Sequence, residues 1–216
     1  MGPGLEGTGR VADDIWLLAH SDLTGRPYIQ PRPLGLGLAA GLLSELVVAG
    51  ALVVAGEQIM VTGRRRPPGD ALAGQVLGLV AGEREGHPVR DWLAYLARTA
   101  PAGVTARLAA AGYLAPAGRW PPWRPARWMP TSRDSAFAPV IRARGALDAA
   151  RPLTVHAGVL TGLADACGLG FRLAEYAPAH GVRPVGQVTA QLSPSLGALI
   201  AWTKTAVDSA VLAHRT

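Results

Sequence analysis

The sequence predicts a mostly α-helical single domain with two small β-hairpins, one near the N-terminus and one protruding and rich in tryptophan and arginine. Three observations predict it. The chain has 216 residues, nearly half of them apolar, enough for one sizeable core. Alanine, leucine, glycine and valine dominate while phenylalanine is scarce, which points to an aliphatic, largely helical interior. Helical patterns fill most of the chain, and the exceptions are two short stretches bounded by turn residues.

Residues 1–10 are glycine-rich and read as a flexible N-terminus, with the domain running over 11–216. Asp13 and Asp14 precede Ile15, Trp16, Leu17 and Leu18, which reads as an N-capped helix start with carboxylates near the positive end of the dipole. The turn Thr24–Gly25–Arg26–Pro27 stops that helix. Leu34–Val48 is a second, mostly buried helix, ended by Gly50. ALVV at 51–54, the turn 55–57 and QIMV at 58–61 form a hairpin, the outline of a winged-helix-like unit. Gly63–Gly69, with Arg64, Arg65 and Arg66, is a basic exposed loop.

Asp70–Val80 is a third helix. His87–Pro88 starts a fourth, with Val89, Trp92, Leu93 and Leu96 on one face, and Pro101 breaks it. Val104–Ala111 is a short helix ending at Gly112. Tyr113–Leu114 and Trp128–Met129 serve as the bases of a hairpin over about 113–131, whose tip is RWPPWRPARW, Arg119–Trp128. Helical patterns return at Phe137–Leu147, Thr154–Cys167, Arg183–Leu192 and Pro194–Leu212, with Ser193 as cap of the last.

The net charge is +6 and Lys204 is the only lysine, so the basic character is arginine, suited to planar contact with phosphate or carboxylate. A lone cysteine, Cys167, excludes an internal disulfide and a cysteine-based zinc site, and fits a reducing cytoplasm. The N-terminus has no charged region followed by an apolar one, so no secretory signal is expected. No run reaches the roughly 18 continuous apolar residues of a membrane span. The expected place is cytoplasmic, with contact at the inner face of the membrane.

Sites are sparse. None of His20, His87, His156, His180 and His214 has metal-ligand spacing, and no metal or cofactor is expected. His156 lies on an apolar helix, either as a satisfied core or cap histidine or as a base. Glu45, on a buried-looking helix, is either paired to an arginine or set in a pocket. Gly35, Gly37 and Gly41 resemble a dinucleotide loop superficially, but follow no strand and read better as helix packing through small residues. RWPPWRPARW holds three of the six tryptophans and no acidic residue. Indole and guanidinium suit a bilayer interface, stacking on bases, or the wall of an apolar pocket; the plain alternative is a proline-rich loop folded back on its own domain by tryptophan packing.

VADDIWLLAHSDLTGRP at 11–27, LGLGLAAGLLSELVVAGALVV at 34–54, HPVRDWLAYLARTA at 87–100, ARLAAAGYL at 106–114 and the final helix ALIAWTKTAVDSAVLAHR together resemble the Golgi phosphoprotein 3-like family, in particular its actinobacterial members. The resemblance covers about residues 11–214. It implies a mostly helical domain with a protruding hairpin. In eukaryotic members this domain is a peripheral membrane protein that binds phosphatidylinositol 4-phosphate, inserts the hairpin into the bilayer beside a basic headgroup pocket, and holds enzyme tails. The family's pocket tryptophan falls near Gln30 here and its helix arginine at Ala39. Of the later arginine pair, Arg98 matches one position and the other falls near Pro101, with Arg107 close by. At most one headgroup-binding residue of that set survives.

Two readings follow. In the first, the protein is a peripheral anionic-phospholipid-binding or adaptor protein. Arg119, Arg124, Arg127 and Arg98 meet headgroups, with Arg107 as a further candidate, and Trp120, Trp123 and Trp128 sit at the interface. In the alternative, it is a cofactor-free enzyme of cyclase or isomerase type, or a binder, for an apolar natural-product intermediate. Its pocket lies beneath the hairpin, walled by those tryptophans, Tyr28 and Trp92, with Glu45, His156 or an arginine as the polar group. Nucleic acid is not expected, because Leu34–Val48 is too apolar to lie in a groove. A homo-oligomer stays open.

Overall fold

A computed structural model describes residues 8–62, 69–83, 86–117, 127–174 and 181–213. Among them are ten helices and two antiparallel hairpins, in agreement with the mostly α expectation. The first two helices are α1 (Val11–Ala19) and α2 (Pro31–Val48). The first hairpin is β1 (Leu52–Ala55) with β2 (Gln58–Val61), followed by α3 (Ala71–Gly82), α4 (Val89–Leu96) and α5 (Ala100–Ala110). The second hairpin is β3 (Leu114–Ala117) with β4 (Arg127–Pro130). Then come α6 (Arg133–Leu147), α7 (Val155–Ala166), α8 (Gly170–Ala174), α9 (Val185–Ala190) and α10 (Pro194–Leu212).

All nine residues of α1 are buried, with α2, α5, α6 and α7 packed around it. A helix covered on every side has no solvent face on which to leave its polar residues. That overturns the capping role expected of Asp13 and Asp14. The helix begins at Val11 with Arg10 as its N-cap residue, and both carboxylates point into the protein from the first turn.

The close packing of α2 rests on glycine, as the small-residue reading expects. A Cβ at Gly41 would lie 2.8 Å from Ala12 Cα of α1, and one at Gly35 would lie 2.5 Å from the Ala97 carbonyl oxygen just after α4. A Cβ at Gly37 would meet Cys167 Sγ at 2.5 Å. Burial pushes that thiol up to about 12, so Cys167 behaves as a small hydrophobe. By length and hydropathy α2 could cross a bilayer, but 72% of it is buried inside the domain, as a core helix is.

In α4 the expected face, Val89, Trp92, Leu93 and Leu96, is buried, each large side chain stabilising by about 1.5–3 kcal/mol. Pro101 does not merely break a helix. It sits in the first turn of α5, where its missing N–H costs nothing. Asp70 caps α3 by accepting from the Ala73 amide, and Ser132 and Thr154 cap α6 and α7 in the same way. Ser193 holds the N-cap position of α10 without a side-chain cap bond. Its neighbour Ser195 instead bonds Val54 N and O, and Trp202 Nε1 donates to Gly56 O, which docks the first hairpin on α10. The five-residue α8 falls outside the expected helices, and α6 starts four residues before the expected Phe137, with Pro139 inside it.

Candidate functional site

The second hairpin pairs Leu114 with Pro130 and Ala117 with Arg127, so the residues expected at its base do pair or flank it. Its base is held firmly. Thr131 N donates to Tyr113 O, and Thr131 Oγ1 donates to Gly112 O at 2.9 Å. Gly25, at a φ of 62°, brings the 21–27 loop against β4; a Cβ there would lie 2.5 Å from the Trp128 carbonyl oxygen. Trp128 is half-buried and packed against the core, so part of its indole ties the hairpin to the body. Arg127 is exposed. Arg119, Trp120, Trp123 and Arg124 lie outside the described residues, as do the Arg64–Arg66 run and His180 and His214.

Two further exposed arginines border this base: Arg26, next to Gly25, and Arg133, three residues beyond β4. Local pattern marks Arg26 only as part of a turn. What brings it to the hairpin is the contact of Gly25 with β4, which no local pattern announces.

Arg107 leaves the set of headgroup candidates. Its guanidinium is spent internally, on Asp13 Oδ1 at 2.7 Å, Asp70 Oδ2 at 2.7 Å and Glu45 Oε2 at 3.2 Å. Arg10 also meets Asp70 at 3.2 Å. Glu45 is therefore paired to an arginine, the first of its two readings, and its Oε1 also accepts the Ala12 amide at 2.9 Å. Three carboxylates face two guanidiniums, which leaves one negative charge over. Burial raises Asp13 and Glu45 above the ordinary carboxylate range, with Arg107 pulling them back only in part. Burial also pushes Asp70 up, but the Arg107 hydrogen bond, the Ala73 amide and the two arginine charges win, and it ends lowered.

A second buried pair group sits beside the first. Asp14 Oδ2 accepts from Arg142 and pairs with His156 Nε2, the latter at 2.7 Å. Its Oδ1 has no hydrogen-bond partner among the described residues. His156 is thus carboxylate-bound at the edge of the core, not isolated on an apolar face.

Tyr28, Trp92 and the Glu45–His156 pair do not share one cavity among the described residues. Glu45 and His156 border one cleft of about 330 Å³, with Arg10, Val11 and Val48. Trp92 lines a second, of about 260 Å³, between α3 and α4. Tyr28 and Gln30 line a third, of about 570 Å³, together with Asp165, Lys204 and Asp208. Two carboxylates against one lysine make that third cleft a poor phosphate site. Ala39, the other position carried over by resemblance, is fully buried. Arg98 is exposed, its guanidinium carbon 5.6 Å from the Tyr95 ring centroid.

The family model described as Golgi phosphoprotein 3 (GPP34) matches residues 11–211. No curated protein matches the chain.

Proposed function

Because the chain belongs to the Golgi phosphoprotein 3 family, we propose that it is a peripheral protein that binds anionic phospholipid, or holds a partner at such a surface, through its arginine-rich second hairpin. One observation carries the reading: a hairpin locked at its base by Gly25, Thr131 and Trp128, with exposed Arg26, Arg127 and Arg133 around that base. The tip residues Arg119, Trp120, Trp123 and Arg124 would add charge and interfacial indole. With Ala39 buried and the cleft at Gln30 carrying two carboxylates, the recognition proposed is of surface charge, not of one phosphorylated headgroup. The inner face of the cytoplasmic membrane supplies such a surface.

Co-sedimentation with phosphatidylglycerol and cardiolipin vesicles tests this. Binding is expected at low salt and should fade as salt rises. Glutamine at Arg26, Arg127 or Arg133 should weaken it by about fivefold each, since a basic residue near an anionic surface contributes about 1 kcal/mol. A wild-type chain that ignores these vesicles at low salt sinks the reading.

A second reading, a cofactor-free enzyme or binder for an apolar small molecule, is favoured by a separate observation. Glu45 and His156 line the same cleft, and Asp14 orients the imidazole. An oriented imidazole can move a proton on a bound substrate. A panel of apolar polycyclic ligands should then raise the melting temperature of the wild type and not of His156→Gln. No shift with any of them counts against this reading.

A further inference from the structure

The cleft between the end of α3 and the start of α4 is separate from the hairpin base and from the cleft that Glu45 and His156 line. It is lined by Leu79, Glu83, His87, Asp91, Trp92 and Tyr95 and encloses about 260 Å³. Three of the six are aromatic, and their rings stand at right angles. His87 meets Trp92 with centroids 6.1 Å apart at 82°, and Trp92 meets Tyr95 at 6.1 Å and 88°. In each orthogonal pair the edge of one ring meets the face of the other. Trp92 is largely buried while Tyr95 is half exposed, so Tyr95 gives the cleft most of its open aromatic surface, whose face carries the negative part of the quadrupole. Two carboxylates, Glu83 and Asp91, stand at the same opening, both more than half exposed. α3 ends at Gly82, so the negative end of its dipole borders the cleft as well.

From this we infer that the α3–α4 cleft binds a small organic cation of the alkylammonium class. A bare metal ion would lack buried oxygen ligands here, because both carboxylates lie at the rim. A neutral apolar ligand would draw nothing from the negative charge at the rim. An alkylated ammonium uses both features, its methyl or methylene groups on Trp92 and Tyr95 and its charge toward Glu83 and Asp91. Cations already present moderate the site. Arg90 touches Asp91 at 3.5 Å, and Arg98 lies over the Tyr95 ring. His87 pairs with Glu83 at 3.4 Å. Of these, Arg98 competes for an aromatic face directly, so its removal should strengthen binding.

Calorimetric titration of the full chain with tetramethylammonium, choline and dimethylbutanol, the uncharged isostere of choline, tests the inference. Both cations should bind at least roughly tenfold more tightly than the alcohol, the scale of a desolvated cation–π contact. Tyr95→Leu and Asp91→Asn, both at exposed positions, should weaken choline by roughly fivefold or more without moving the melting temperature. Arg98→Gln should tighten it. Equal binding of the alcohol, or insensitivity to Tyr95→Leu and Asp91→Asn, would mean an apolar crevice and overturn the inference. So would no binding of either cation at millimolar concentration. Vesicles of phosphatidylcholine then separate the sources. Capture lost with Tyr95→Leu places the ammonium on a lipid headgroup, and binding of free choline without vesicle capture places it on a soluble ligand.

Discussion

Replacing Arg107 with methionine is expected to destabilise the protein by about 3–5 kcal/mol, the range for removing one partner of a buried ion pair. Arg107 is the hub for Asp13, Glu45 and Asp70. Asp13 is fully buried and the Glu45 side chain only 12% exposed, and among the described residues neither is in ion-pair contact with another cation. Urea denaturation measures the loss. Its pH dependence is diagnostic. Asp13 and Glu45 are already raised in the folded state, so their contribution to stability is full below their unfolded values and is lost as pH rises through the raised ones. Without Arg107 both should rise further. The deficit of Arg107→Met should therefore be largest near neutrality and shrink as pH falls toward the unfolded carboxylate range. Asp70 has the opposite sign in the wild type, because its lowered value adds stability above the unfolded range that is lost in acid, and that stability depends on Arg107. Losing it also deepens the deficit at neutral pH. A deficit independent of pH, or below about 1 kcal/mol, would show that the cluster contributes packing and not charge pairing.

The second large effect is expected at Gly41. Valine there should cost at least about 3 kcal/mol, at or beyond the upper end of overpacking penalties. The atom in the way is backbone, Ala12 Cα at 2.8 Å, with Ala12 N at 3.0 Å, so no flexible side chain can yield. α1 would have to move, and with it Asp13, Asp14 and the pairs they hold. Gly74, on α3 with no atom within 4 Å of where a Cβ would stand, is the matched control. Valine there should be neutral or slightly stabilising through helix propensity. Thermal unfolding of the two variants gives the comparison, and equal melting temperatures would refute tight α1–α2 contact.

Much of the fold is legible locally. Amphipathic spacing marks α4, Asp70 marks the start of α3, and Gly56 between two short apolar runs marks the first hairpin. Those signals live within a turn or two of chain, where periodicity and capping act. Asp13 and Asp14 mislead because a carboxylate pair ahead of an apolar run looks the same whether it caps a helix or enters the core. The difference is made by Arg107 and Arg142, 94 and 128 residues away. α8 escapes notice because five residues carry too little pattern to register.

The site is legible more unevenly. Glu45 stands out as a charge on an apolar helix, and its pairing with arginine is one of two readings the sequence leaves open. Arg107 is drawn toward a headgroup role by its place near the resemblance, whereas its burial commits it inward. The aromatic cleft is invisible in the sequence, since Trp92 falls on the apolar face of the fourth helix, His87 at that helix's start, and nothing local brings Glu83 to them.

By itself the sequence determined most of the helices, the turn of the first hairpin and the base of the second, that the core is aliphatic, and which family the chain resembles. All of these depend on residues close in the chain or on its pattern as a whole. The tertiary structure alone decided which arginines are spent on buried carboxylates and which stay exposed at the hairpin base. It also decided that Glu45 and His156 share a cleft, and that three aromatic rings line another. Each of those outcomes is a long-range meeting of charges or faces. Its free energy depends on burial and distance, which are properties of the packed domain and of no single segment.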